Sequence, residues 1–306
     1  MKVILENHTP WPLETLIWTK GTRLQADGVT LDDVIRWPEE KKAMEWEYMK
    51  GTIQSSWEFF QLIFSIHGVT RAFTHQLVRH RIGTSFAQQT QRVVDLSEFA
   101  NIPGPSVLAS QASLERWDAA MDYIADSYSD LVDMGVKRQD ARGIIPTNVS
   151  TNIIFGANLR TLHEMAKIRL CVKAQGEFQD VFREIRRVVV SRWPWTEDVI
   201  QVQCGLTGTC AFPTYPTADC PVKPYVYNPE TGRAYDGGTP RTLRVLRATH
   251  ALNRAEAQPV APSPGGEEAG GSSTNLMASE GTGGAGDIHN LLRGDPGKGW
   301  KEGEER

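Results

Sequence analysis

Three things are scarce in this chain: long apolar runs, cysteines and, in one region, acidic side chains. No apolar run approaches the roughly 20 residues that a membrane-spanning helix needs. The first residues, MKVILENHTPWPLE, lack the basic and apolar parts of a secretory signal peptide. Four cysteines in 306 residues do not suggest a disulfide framework. We therefore expect a cytoplasmic protein.

The region without acidic side chains is rich in arginine. No Asp or Glu occurs from residue 59 to residue 94. The arginines inside it are Arg71, Arg79, Arg81 and Arg92. The whole chain has a formal charge of −4, so this positive charge is local and indicates a bound anion rather than a generally basic protein. Guanidinium groups suit phosphate because their planar fork donates two hydrogen bonds at once.

The hydrophobic pattern predicts an α/β fold, with a central mixed or antiparallel sheet flanked by long helices. Residues 1–5 and 59–69 are interpreted as strands because they are short and rich in β-branched or aromatic residues. Helices are predicted at 70–80, 113–134, 148–172 and 177–192, where apolar residues recur at steps of three or four. Residues 255–306 are rich in Gly, Ser and Glu, which predicts a low-complexity, disordered tail.

A second group of polar side chains lies among apolar neighbours later in the chain. Its members are Arg142, Asn158, Arg160 and Arg169. If residues 148–172 form one helix, Asn158 and Arg169 lie about three turns apart and share one side of it. Each of these side chains, taken alone, also fits a solvated helix surface.

Two blocks of sequence together resemble the flavin-dependent thymidylate synthases, the ThyX family. The first is RHR at 79–81 followed by QQTQR, and the second is ARGIIPTNVSTNIIFGANLRTLHEMAKIRL. The resemblance covers residues 1–225 and implies a ThyX-like catalytic domain there, with 226–254 as a C-terminal extension. Several features depart from the family. Among them, Trp57 stands where a small hydroxyl residue is usual, and Glu164 fills the slot of a histidine, with His163 one place away. Eight residues separate Arg81 from Thr90, where the family has seven, and Thr90 replaces the family's serine. The stretch SSWEFFQ at 55–61 lacks the histidine that many family members have there.

The resemblance implies reductive methylation of dUMP to dTMP. Methylenetetrahydrofolate would donate the carbon, reduced FAD would donate the hydride, and NADPH would reduce the flavin again. The family forms homotetramers whose active sites are shared between subunits. It uses no enzyme nucleophile on the uracil, so none of the cysteines is needed for the reaction.

The resemblance also implies roles for individual residues. Arg169 corresponds to the arginine at the uracil ring and is the implied catalytic residue, because its charge would stabilise negative charge developing on the ring. The implied FAD-binding residues are Arg79, His80, Arg81, Gln88, Asn158, Arg160 and Glu164. The implied dUMP-binding residues are Gln76, Arg79, Gln88, Gln89, Thr90, Gln91, Arg92, Arg142 and Arg169.

Two other functions stay open at this point. The departures at 55–61 and 82–90 motivate a related flavin- and folate-dependent nucleotide hydroxymethylase. A nucleic-acid-binding module could use the same arginines on phosphates, although the net negative charge argues against it. Cys204, Cys210 and Cys220 have the spacing C-x5-C-x9-C, which is a weak zinc signal without a C-x2-C pair, and no metal site is predicted.

Overall fold

The computed structural model describes residues 1–22, 28–52, 54–207, 210–212, 220, 227–228 and 233–234. The predicted tail at 255–306 and most of the predicted extension at 226–254 lie outside the described residues. Within the described part of the chain, no helix has the length and apolar character needed to cross a membrane.

A four-stranded antiparallel sheet forms the centre of the fold. Its strands are β1 (Lys2–His8), β2 (Gln61–Thr70), β3 (Thr84–Gln88) and β4 (Ser150–Asn158), in the order β1-β2-β4-β3. Every pairing in it is antiparallel, which decides between the two predicted sheet types. Phe64 and Phe86 both pair with Phe155 across neighbouring strands, and their rings stack. A separate two-stranded pairing joins β5 (Tyr227–Asn228) to β6 (Arg233–Ala234).

The helices vary from single turns to more than twenty residues. They are α1 (Pro12–Thr22), α2 (Leu31–Ile35), α3 (Glu39–Lys50), α4 (Arg71–Leu77), α5 (Pro105–Leu108), α6 (Gln111–Asp133), α7 (Arg138–Ala141), α8 (Leu159–Arg169), α9 (Gly176–Arg192) and α10 (Gln203–Thr207). The long helices predicted at 113–134 and 177–192 are confirmed as α6 and α9. The structure is therefore of the predicted α/β class.

The core lies between the sheet and the apolar faces of α8 and α9. Phe64 and Phe155 of the sheet and Phe178 and Phe182 of α9 are all fully buried in one cluster. Each fully buried phenylalanine stabilises the fold by about 1.5–3 kcal/mol relative to an exposed one. By contrast, within α6 Tyr128 is the buried residue, and the rest of its apolar face is only half-buried.

The single helix predicted at 148–172 is wrong. Residues 150–158 form strand β4. In it, Ile153 and Phe155 are buried, whereas Ile154 between them is 40% exposed. This alternation is the period of a strand, and it was hidden by the helix-forming residues that follow. Asn158 consequently caps α8 and does not share a helix face with Arg169. The helix predicted at 70–80 also ends early, at Leu77.

Candidate active site

The loop that follows α4 is attached to the N-terminal end of α8. Asn158 accepts a hydrogen bond on its side-chain oxygen from the Thr161 backbone N–H at 2.8 Å, as the helix cap. Thr161 Oγ1 donates to the Ile82 carbonyl at 3.0 Å, and the Asn158 N–H donates to the Gly83 carbonyl at 3.3 Å. These bonds place the RHR run at 79–81 alongside α8.

Gly83 allows this close approach. Its φ of +67° is in the left-handed region that favours glycine. A Cβ built at this position would overlap Thr161 Oγ1 and lie 2.6 Å from Asn158 Nδ2. The glycine that follows the RHR run is therefore required both by the backbone conformation and by the packing against α8.

Arg169, at the C-terminal end of α8, meets the RHR run through His80. Its Nε and Nη2 atoms both lie 3.1 Å from His80 Nε2. The guanidinium carbon also lies 4.3 Å from the centre of the Phe178 ring, over its face. The two sequence blocks that resemble the ThyX family therefore converge within one chain.

The contact with Arg169 determines the protonation of His80. A guanidinium only donates hydrogen bonds, so His80 Nε2 must accept and the ring proton must lie on Nδ1. Burial, followed by the nearby charge of Arg169, lowers the pKa of His80. His80 is therefore a neutral acceptor that fixes the guanidinium without neutralising its positive charge.

Three arginines of the RHR region point to solvent. Arg79, Arg81 and Arg92 are exposed. In the part of the chain that the structure describes, none of the three side chains has a hydrogen-bond or ion-pair partner. Since the segment contains no acidic residue, these guanidinium groups are available to an anionic ligand.

Two further arginines, Arg71 and Arg142, lie close to each other. Arg71 Nη1 donates to the Gln89 carbonyl at 3.1 Å. Burial lowers the pKa of Arg71, and the charge of the nearby Arg142 lowers it further. Arg142 Nε donates to the Gln139 carbonyl at 3.1 Å. Arg71 is not among the residues implied by the family motif, and its position in the acid-free segment was the one sequence feature pointing to it.

Most of the other implied nucleotide-binding residues lie on α4, β3 and the loop after β3. Gln88 Nε2 donates to Thr74 Oγ1 at 2.8 Å, and Gln76 bonds to the Gln175 side chain. Thr90 Oγ1 accepts from the Arg92 backbone N–H at 3.2 Å. Gln89 and Gln91 follow in the same loop, exposed and half-buried respectively.

The remaining implied flavin contacts lie on α8 and already have partners within the chain. Arg160 Nη1 pairs with Glu58 Oε1 at 2.5 Å on the surface. Glu164 pairs with Lys167 at 2.6 Å. The stretch at 55–61, which lacks the family's histidine, instead buries Trp57 in the core, edge-on to His163 with ring centres 5.3 Å apart.

An open depression of about 580 Å³ lies on the face of the sheet next to Gly83. Its lining residues are Gln61, Leu62, Ile63, Gly83, Thr84, Ser85, Phe86, Ala87, Ile154 and Gly156. The side chains of Ile63 and Ile154 are each 40% exposed there. The depression is broad, largely apolar and directly adjacent to the RHR loop.

Known proteins are similar to this chain over the whole region that carries the site. The profile of the thymidylate synthase complementing protein family, Thy1, matches residues 18–195. A flavin-dependent thymidylate synthase of Geobacter sulfurreducens is 34% identical over 217 residues, which cover 69% of this chain and 90% of the relative. Enzymes of the same name from Pyrococcus furiosus and Pyrococcus horikoshii are 34% and 33% identical, over 75% and 80% of their lengths. This chain therefore belongs to the flavin-dependent thymidylate synthase family.

Proposed function

We infer that this chain is a flavin-dependent thymidylate synthase, which converts dUMP to dTMP with methylenetetrahydrofolate as carbon donor and FAD and NADPH as reductants. One observation within the structure supports this most: Arg169 is in direct contact with His80 of the RHR run, although the two residues are 89 positions apart in the sequence. The family membership gives that contact its chemical meaning. A ThyX-like fold is part of the same proposal.

The exposed residues of the RHR run fit a phosphate-rich cofactor. Arg79 and Arg81 are unpaired among the described residues and lie in a segment without carboxylates, so they suit the two phosphates of FAD. FAD supplies the hydride when it is bound. Gln88, Asn158, Arg160 and Glu164 complete the proposed flavin contacts. Of these, Arg160 and Glu164 are already paired, so each would exchange its partner, Glu58 or Lys167, for the cofactor.

Arg169 is proposed to act on the uracil ring. Uracil becomes nucleophilic at C5 only as negative charge builds on N3 and the carbonyl oxygens. A guanidinium held at that edge stabilises the developing charge, as an oxyanion hole does. His80 and Phe178 orient Arg169 without supplying a carboxylate, so its full positive charge remains available.

The nucleotide phosphate is assigned to the second arginine pair. Arg142 and Arg71 lie close enough to repel each other, and an anion between them would relieve that repulsion. The residues proposed to surround the rest of dUMP are Gln76, Arg79, Gln88 at the end of β3, and Gln89, Thr90, Gln91 and Arg92 in the loop that follows. Arg71 is added here to the dUMP-binding residues that the family motif implied.

A homotetramer with shared sites is also proposed. The open sheet face around Ile63 and Ile154 and the half-buried apolar face of α6 are surfaces that further copies of the chain would cover. Such packing would bring the exposed arginines of one subunit near the depression of another.

Product analysis tests the proposed reaction. The purified chain is incubated with dUMP, methylenetetrahydrofolate, NADPH and FAD, and the nucleotide product is identified by mass spectrometry. We expect the methylated nucleotide, dTMP, and a protein that shows flavin absorption. A hydroxymethylated nucleotide would replace this function with the related hydroxymethylase. Salt-sensitive binding to DNA or RNA without flavin or nucleotide turnover would replace it with a nucleic-acid-binding module.

A further inference from the structure

All four cysteines of the chain gather in one place. Cys204, Cys210 and Cys220 pack together as one cluster. Burial raises the pKa of the Cys171 thiol, and Cys220 and Cys210 lie close enough to raise it further. Cys204 is affected in the same way by all three of the others, with burial as the larger cause. All four are free thiols, and their sequence spacing, C-x32-C-x5-C-x9-C, does not by itself bring them together.

Backbone N–H groups are directed at two of the sulfurs. The Phe212 N–H donates to Cys210 Sγ at 3.3 Å. The backbone of Lys173 forms the equivalent bond with Cys171, also two residues further along the chain. Hydrogen bonds of this kind stabilise sulfur in its thiolate form and commonly support metal-binding ligands. Packing of neutral thiols in an apolar cluster would not require them.

We propose that Cys171, Cys204, Cys210 and Cys220 form a four-thiolate site for a zinc ion. Four sulfur ligands are the set that structural zinc sites use, in a closed tetrahedral arrangement. Each thiol releases its proton to solvent on binding, so the ion and its ligands together have a charge of about −2. The step involves no oxidation or reduction. None of these four cysteines is among the residues assigned to dUMP or FAD.

The sulfurs must turn to complete the site. Among the described residues, no three His, Cys, Asp or Glu side chains already stand as a metal-ligand set. The backbone of two ligands is nevertheless fixed: the Cys171 N–H bonds to the Ile168 carbonyl at 3.2 Å, and Cys204 lies in α10, which packs against α8. Rotation of each cysteine between staggered rotamers moves its sulfur without moving the backbone.

The position of the cluster suggests what the ion would do. Cys171 lies two residues beyond Arg169, just past the end of α8. A zinc ion bound there would link the end of this helix to α10 and to the two later cysteines. Its role would be structural, because four protein ligands leave no open position for a substrate.

Metal analysis of the full chain tests the proposal. The protein is purified with a reductant and without chelator, and its metal content is measured by mass spectrometry. We expect about one zinc ion per chain. The variants Cys204→Ser and Cys210→Ser should lose most of it, whereas His75→Ala, which removes an exposed imidazole outside the cluster, should retain it. Equal zinc content in all four proteins would assign the metal to another place and overturn the site.

A second measurement needs no variant, so it remains valid if the serine variants fail to fold. Replacement of zinc by cobalt should produce the strong visible bands of a tetrahedral thiolate complex. Thiol titration of the folded protein should find four cysteines that are protected until a metal chelator is added. Four reactive thiols without metal, or a loss of two thiols that only a reductant restores, would overturn the proposal, since the second result indicates a disulfide.

Discussion

The two ends of α8 each present an arginine, in opposite electrostatic surroundings. Near the N-terminal end, Arg160 is exposed and pairs with the Glu58 carboxylate at 2.5 Å. At the C-terminal end, Arg169 is half-buried, and its side-chain partners among the described residues are the neutral ring of His80 and the face of Phe178. The first charge is already balanced, whereas the second is held in position and left unbalanced.

The difference has an energetic meaning. An exposed ion pair such as Arg160–Glu58 contributes about 0–1 kcal/mol to stability. Arg169 loses hydration on folding, and this burial lowers its pKa. Within the described part of the chain, no carboxylate pairs with its guanidinium in return. Stability alone does not explain such an arrangement. It is explained if the missing negative charge comes from the ligand, and most of all from the ring as it reacts.

The largest expected effect comes from removing the unbalanced charge. We expect Arg169→Ala to lower kcat for dTMP formation by about 10²–10³, the range for loss of one group that stabilises a developing oxyanion. FAD should remain bound, because the exposed arginines of the RHR run are intact. Turnover with saturating dUMP and the flavin absorption of the purified variant are the two measurements.

Arg160→Ala is the matched control for that experiment. It removes the same side chain from the same helix, but its charge is balanced by Glu58. At saturating FAD, its kcat should remain within about tenfold of the parent, well below the loss expected at Arg169. If both variants lose activity equally, the contrast between the two ends of α8 does not govern catalysis.

The next effect concerns the attachment of the loop to the N-terminal end of α8. Gly83→Ala combines a left-handed φ with an overlap at Thr161 and Asn158. We expect a loss of about 2–4 kcal/mol in the free energy of unfolding, from strain and overpacking together. Gly135→Ala, at φ +90° with open space around it, isolates the backbone cost and should lose about 1 kcal/mol. Denaturant titration measures both, and equal losses would contradict the packing argument.

A smaller effect is expected at the helix cap. Asn158→Ala removes the acceptor for the Thr161 N–H and should cost about 1 kcal/mol of stability. Asn158→Asp keeps an acceptor oxygen and should recover most of that loss. Both values come from thermal or denaturant unfolding. If the aspartate variant is no more stable than the alanine variant, the cap bond is not the cause.

The smallest effect is a pH dependence at the other end of the helix. Burial and Arg169 lower the pKa of His80 from its ordinary 6.5. As the pH falls below that value, the unfolded chain binds a proton before the folded chain does. The free energy of unfolding therefore decreases until the folded-state pKa is passed. His80→Asn should weaken this decrease, measured by urea unfolding at several pH values.

Two controls accompany the pH experiment. His75→Asn changes an exposed histidine outside the site and should keep the parent profile. His163, whose pKa is also lowered by burial, remains in every variant, so some pH dependence persists. A profile of His80→Asn that matches the parent would show that folding does not lower the pKa of His80 in solution.

The sequence predicted helices and strands well where the apolar residues follow a single periodicity. The apolar residues whose steps of three and four predicted α9, among them Phe178, Phe182 and Val189, are all buried. The prediction failed at β4, because its alternating residues run directly into the helix-forming sequence of α8 without a connecting loop. Asn158 is the boundary, and a capping asparagine is the signal that could have located it.

The sequence predicted which residues form the site but not which of them contact each other. The acid-free arginine segment and the family motif indicated which residues matter, including Arg169 and His80. Their mutual hydrogen bond, the approach of Arg71 to Arg142 and the approach of Cys171 to the later cysteines depend on tertiary packing. No local pattern encodes such pairings, because the residues are separated by tens of positions and lie on different elements.

A crystal structure of the chain with both FAD and dUMP tests the central claim most directly. We predict that Arg169 lies within hydrogen-bond distance of the uracil ring, while Arg142 is at the nucleotide phosphate. A complex in which Arg169 remains remote from the bound uracil, with another guanidinium in its place, would contradict the account.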